Sequence, residues 1–130
     1  MDFLDRLIDW IEGNVELFTL IEKSRMRNKG PAIAIRQTPT PPSTRYMDGS
    51  KLDNFGFQVL VRHNDVQKAT DTIYAITKAV DGLNGDDIKS ENNSFELVQI
   101  EVYTNPNHVE TNDRNEEIYT ALFVAQLYTN

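Results

Sequence analysis

Asn54-Phe55-Gly56-Phe57-Gln58-Val59-Leu60-Val61-Arg62-His63 alternates with a period of two: Phe55, Phe57, Val59 and Val61 point one way, and Gly56, Gln58, Leu60 and Arg62 the other. Successive side chains of a strand face opposite sides of a sheet, so this run is a strand with an aromatic and β-branched core face. Asn64-Asp65 then caps a helix whose apolar positions, Val66, Ala69, Ile73, Ile76, Val80 and Leu83, step by three and four residues. That spacing makes the stripe of an amphipathic helix. His63, beside the cap, reads as part of the capping and not as a catalytic group. Asp81-Gly82 and Asn84-Gly85 end the helix, and Asp86 to Ser94 is a polar loop.

Working outward, the segment from Asp2 to about Lys23 reads as helix. Phe3, Leu4, Leu7, Ile8 and Ile11 form its apolar stripe, with Asp2 as N-cap. Gly13-Asn14 predicts a kink or break, after which Val15, Leu17, Phe18 and Ile21 continue the stripe. Ser24 to Pro31 is a basic turn, and Ala32 to Gln37 a short strand. Thr38 to Asp53 reads as a long loop whose Pro39, Pro41 and Pro42 favour an extended path. Phe95 to Thr104 is a third strand with a phase shift between Leu97 and Val98, the mark of a bulge or of burial on both faces. Asn105 to Glu117 reads as a second long loop. Ile118 to Thr129 is a fourth strand, apolar on both faces near Leu122-Phe123-Val124-Ala125, as suits a central strand covered on both sides. The expected fold is α+β: a small four-stranded, largely antiparallel sheet packed against helices, in the order helix-strand-strand-helix-strand-strand.

The 130 residues match the size of one domain, taken as 1–130, large enough to bury a core without a staple. The absence of cysteine removes disulfides, thiolate zinc sites and thiol nucleophiles. Met1-Asp2-Phe3-Leu4-Asp5-Arg6 places acid where a signal peptide needs a basic region, and no apolar run reaches the ~20 residues of a membrane span. His63 and His108 are not ligand-spaced. The paired carboxylates Asp86-Asp87 and Glu116-Glu117 sit in polar segments, and no phosphate-binding, dinucleotide or nucleophile-elbow motif occurs. No catalytic residue, metal ligand or cofactor is therefore expected, and the chain reads as a non-enzyme that docks onto other protein subunits.

The net charge of −7 argues against nucleic acid or an anionic membrane as main partner. Its distribution is uneven. From Lys23 to Lys51 there are seven basic residues and one acid, whereas the remainder carries six basic and nineteen acidic residues. A basic strip of this kind either faces the acidic surface of another copy or is neutralised within its own chain. The two long loops add Arg45, Tyr46 and Met47 in one, and His108, Val109 and Arg114 in the other. They serve either as interface contacts or as side chains folded back on the domain. The candidate interface residues are Arg25, Arg27, Lys29, Arg45, Tyr46, Met47, Lys51, His108 and Arg114.

An N-terminal helix leading into Pro31-Ala32-Ile33-Ala34-Ile35-Arg36, a Pro-rich stretch with Arg45-Tyr46-Met47-Asp48-Gly49, the strand Phe55 to Arg62, the helix with Ala69 and Ile73, and a final strand near Ile118-Tyr119 form a recognisable order. It resembles the minor capsid or tail terminator (tail completion) proteins of long-tailed phages of Gram-positive hosts. The resemblance implies a virion structural protein of the tail, assembled in the host cytoplasm, without enzymatic activity. It implies a homo-oligomeric ring, typically a hexamer, that caps the tail tube and contacts the tube protein and the head connector or stopper. DNA would pass through such a ring without specific binding. A head–tail stopper, adaptor or baseplate component is the neighbouring reading. A small ligand-binding domain or enzyme with its pocket under the Pro-rich loop is the reading from a different class.

Overall fold

The computed structural model describes residues 2–40, 44–45 and 51–129, with the backbone course alone for Thr44, Arg45 and Lys51. Helix α1 (Phe3–Asn14) leads to strand β1 (Ile21–Lys23), then β2 (Ala32–Thr38), β3 (Thr44–Arg45) and β4 (Lys51–His63). Helix α2 (Val66–Val80) and the long strands β5 (Phe95–Thr111) and β6 (Glu117–Thr129) complete the order. The sheet runs β1-β2-β4-β6-β5, with the two-residue β3 pairing β4 off that path.

The alternation in β4 does what it predicts. Phe55, Phe57, Val59 and Val61 are buried and lie opposite Ala125, Phe123, Ala121 and Tyr119 of the antiparallel β6. Phe57 stacks on Phe123 with ring centroids 5.0 Å apart, and Phe3 of α1 meets Phe55 and Phe95 edge-on at 5.1 and 5.3 Å. Offset and edge-to-face aromatic pairs of this kind add to the gain from burial itself. Ala69, Ile73, Ile76 and Val80 of α2 join the same cluster as Phe3, Leu7 and Ile11 of α1, so both helices cover one side of the sheet. The Asp65 carboxylate caps α2, accepting the Gln67 and Lys68 N–H groups, and the His63 imidazole Nδ1 accepts the Asp65 N–H at 2.9 Å. Val66, expected on the apolar stripe, is instead exposed in the first turn.

The expectation of a four-stranded, largely antiparallel sheet in the order helix-strand-strand-helix-strand-strand is overturned. The sheet is mixed and has five strands along its path, because β1 runs parallel to β2 where the second half of a helix was expected. The helix stops at Asn14, whose side chain bonds back to the Trp10 carbonyl, and Val15 turns extended. Glu12 Oε2 then accepts the Ile21 N–H, delivering Ile21 opposite Ile33. Val15, Leu17 and Phe18 still pack on the core, so their apolar spacing reflects burial and not helix. Asp2 precedes α1 without capping it through its side chain. Its carboxylate instead takes hydrogen bonds from Ser90 Oγ, Glu91 N–H and Ser94 Oγ, fastening the 90–94 loop to the helix start.

The second long loop is also mostly strand. β5 continues to Thr111 and leaves only a five-residue turn before β6. The phase shift near Leu97 is a genuine irregularity, with the register slipping between Leu97 and Gln99. β6 is central, lying between β4 and β5, but the helices cover one of its faces only. On the other, Ile118, Leu122 and Val124 are half-buried, beside Leu60 and Gln58 of β4.

Gly56 lies on this helix-free side, where the chain after β2 folds close. A Cβ there would come 2.7 Å from Thr38 Oγ1 and drive into the Thr40 side chain. Thr40 is held by its hydroxyl on the Asn54 carbonyl at 2.8 Å, so it cannot yield freely. Overpacking of this kind costs about 1–3 kcal/mol. Gly56→Ala is expected to lower the thermal midpoint by several degrees, measured by circular dichroism, whereas Gly13→Ala, with open space around it, should not.

Candidate interface surfaces

The basic turn joins two neighbouring parallel strands, β1 and β2, and its course is set by one buried cation. Arg62, at the end of β4 on the helix-free side, is 5% exposed. Its Nε donates to the Gly30 carbonyl at 2.8 Å and its Nη2 to the Arg27 carbonyl at 2.7 Å. Glu116, also 5% exposed, lies 3.8 Å from Arg62 Nε and accepts the Gly30 N–H at 2.9 Å and Asn112 Nδ2 at 3.0 Å. Arg114 Nη1 reaches the Asn28 carbonyl at 3.3 Å. A buried charge is tolerated when it is paired and its hydrogen-bonding capacity is met, and here the pair ties the 24–31 turn to the 112–116 turn. Arg114 is thereby brought beside the basic turn, an association that sequence spacing does not reveal.

The other candidate residues are spread along the sheet. Arg27 is engaged locally, its Nε and backbone N–H both donating to Glu22 Oε1 at 3.1 Å. Lys23 pairs with Asp5 of α1 at 3.0 Å, and Arg36 donates to Gln58 across the helix-free face at 2.7 Å. Arg25 and Lys29 are exposed, and neither forms an ion pair among the described residues. Arg45 and Lys51 pair with each other through the backbone where β3 meets the start of β4. Lys51 and Arg62 are eleven steps apart along β4, so they stand roughly 36 Å apart at ~3.3 Å per residue. The basic strip is thus spread along the sheet and does not form one surface. Tyr46 and Met47 lie outside the described residues. His108 is exposed on β5 and stacks edge-on against Tyr119, with Nε2 2.6 Å from Glu117 Oε2.

A second surface, one that sequence spacing does not reveal, lies along β5. Glu96, Glu101 and Glu110 of β5 stand opposite Tyr128, Val124 and Ile118 of β6, so all three share the helix-free side, and all are exposed. The outer edge of β5 is covered as far as Val102 by the 81–83 segment, through Gly82 N–H to Ile100 O and Ile100 N–H to Leu83 O. Beyond it, Tyr103 is 74% exposed and Val109 52%. The three glutamates are five and nine residues apart, odd spacings that a regular strand would split between its two faces, and the register slips of β5 bring them to one side, so period-two alternation does not reveal them.

The Asn112 amide bond chiefly lowers the Glu116 pKa, burial opposes it, and Arg62, Gly30 and Arg114 lower it further. Because the folded pKa lies below the unfolded one, Glu116 contributes stability in full above about pH 4.5, and that contribution is lost as pH falls through the folded value. Glu116→Gln is expected to flatten the acid limb of the stability curve. Glu116→Ala, which strands buried Arg62, should cost about 3 kcal/mol. Urea titrations between pH 3 and pH 7 measure both effects. Equal acid limbs in the wild-type chain and Glu116→Gln would contradict this role.

Among the described residues no helix is long and apolar enough to cross a membrane. No curated protein matches the chain. A family model described as bacteriophage tail terminator protein matches residues 19–129, which takes in every strand of the sheet and α2. That family is a structural one of the phage tail. The chain belongs to the bacteriophage tail terminator protein family and is a structural component of the virion.

Proposed function

We propose that the protein closes the head-proximal end of the tail tube as a homo-oligomeric ring, a hexamer, and joins the tube to the head connector. Family membership over residues 19–129 carries this reading. The geometry is consistent with it. A ring needs two different surfaces on each subunit that fit one another. The chain presents a fixed basic turn at one end of the sheet and an acidic, partly apolar face along β5. In this reading the subunits assemble in the host cytoplasm, and one side of the ring meets the tube protein while the other meets the connector or stopper. The net charge of −7 lets DNA pass through the ring without adhering.

The neighbouring stations in the same machine make different predictions. A phage lacking this gene, imaged from infected-cell lysates, is expected to show tails longer than the wild-type length together with unjoined, DNA-filled heads. Tails of normal length beside heads that have lost their DNA would assign the chain to a stopper instead and overturn the terminator role.

A further inference from the structure

We infer that the helix-free face along β5 is the seat for the basic turn of a neighbouring copy of this chain, with Arg25 and Lys29 of one copy meeting Glu101 and Glu110 of the next. The inference rests on the ring reading above and names the surfaces through which such a ring closes.

Charge complementarity identifies the occupant. The glutamates of β5 are exposed, and no salt bridge reaches Glu101 or Glu110 among the described residues. The cations missing from that face stand on the same chain, in the basic turn, likewise without an ion pair. Opposite charges left unmatched on two surfaces of one sequence are matched when a second copy sets one against the other. Between the glutamates and β4 lie the half-buried Leu122 and Val124, and Tyr103 is exposed on the same strand. An apolar centre with a charged rim is the composition of a protein interface.

Two further observations fix the manner of contact. β5 carries Pro106, which has no N–H, and its register slips at Val102/Thr104, Thr104/Asn107 and His108/Glu110. Proline and bulges on an edge strand block the addition of another strand, so the contact is made through side chains and not by extending the sheet. The turn that reaches in is held by Arg62 and Glu116, so docking it costs little ordering entropy. The two surfaces are unlike, so each copy offers one to the neighbour on either side. This is a head-to-tail contact, the kind from which a ring is built when the rotation from copy to copy closes.

The test uses the full chain in three forms: wild type, Arg25→Glu/Lys29→Glu, and Glu101→Lys/Glu110→Lys, each followed by sedimentation velocity over a range of concentrations. All four positions are exposed, so the substitutions do not disturb the core. The wild type is expected to assemble. Each variant alone meets like charge at every joint and should associate at least about ten-fold more weakly. An equimolar mixture of the two variants restores opposite charge at every joint and should reassemble, which also shows that both are folded. A wild type that assembles while either variant assembles equally well, or while the mixture stays dispersed, overturns this interface and leaves the ring reading standing. A wild type that remains monomeric throughout overturns the ring reading and this interface together.

Discussion

Thirteen residue pairs join β4 to β6, and the rest of the molecule is arranged about that antiparallel ladder. On one side it presents Phe55, Phe57, Val59 and Val61 against Tyr119, Ala121, Phe123 and Ala125, which both helices seal from water. On the other it presents Gln58, Leu60, Leu122 and Val124, which no helix covers among the described residues. A sheet sealed on one side is stable alone, since one buried face supplies the hydrophobic gain. What remains on the second side is available for assembly.

The charged groups follow from that geometry. Arg62 lies near the end of β4 and Glu116 in the turn just before the neighbouring β6, where neither would be buried unless something closed over it. The basic turn does so, giving its Gly30 and Arg27 carbonyls and its Gly30 N–H to the pair. A buried ion pair of this kind is a weak source of net stability but a strong constraint on conformation, because removing either partner strands the other. It spends its effect on holding an exposed turn in one place, and Arg25, Lys29 and Arg114 inherit that placement. Glu22 and Asp5 meanwhile neutralise Arg27 and Lys23, which leaves a smaller and more localised basic surface than the sequence implies.

Legibility in the sequence follows the range of the forces involved. The alternation of β4, the Asp65 cap, the α2 stripe and the slip after Leu97 are set by neighbours a few residues apart, and all could be read directly. β1 could not. Three residues pair in parallel with β2 only because Glu12 and the core hold them there, and the spacing of Val15, Leu17, Phe18 and Ile21 imitates a helix. The far half of β5 was hidden by Asn105-Pro106-Asn107, a sequence typical of loops. An edge strand bonds on one side only, so a proline is accommodated on the other. The division of charge along the chain was visible. Its partition among Glu22, Asp5 and free surface was not, nor was the approach of Arg62 to Glu116, because both depend on how the sheet brings distant segments together.

In the proposed ring, unlike surfaces on each copy join to make a closed assembly at the end of a tail tube. Electron microscopy of the purified protein, alone and mixed with tube subunits, tests it most directly. Closed rings of uniform size are expected, with the β5 face and the 24–31 turn at the joints between subunits. Particles that stay single at high concentration and in the presence of tube, or rings whose joints leave both surfaces facing solvent, would contradict it.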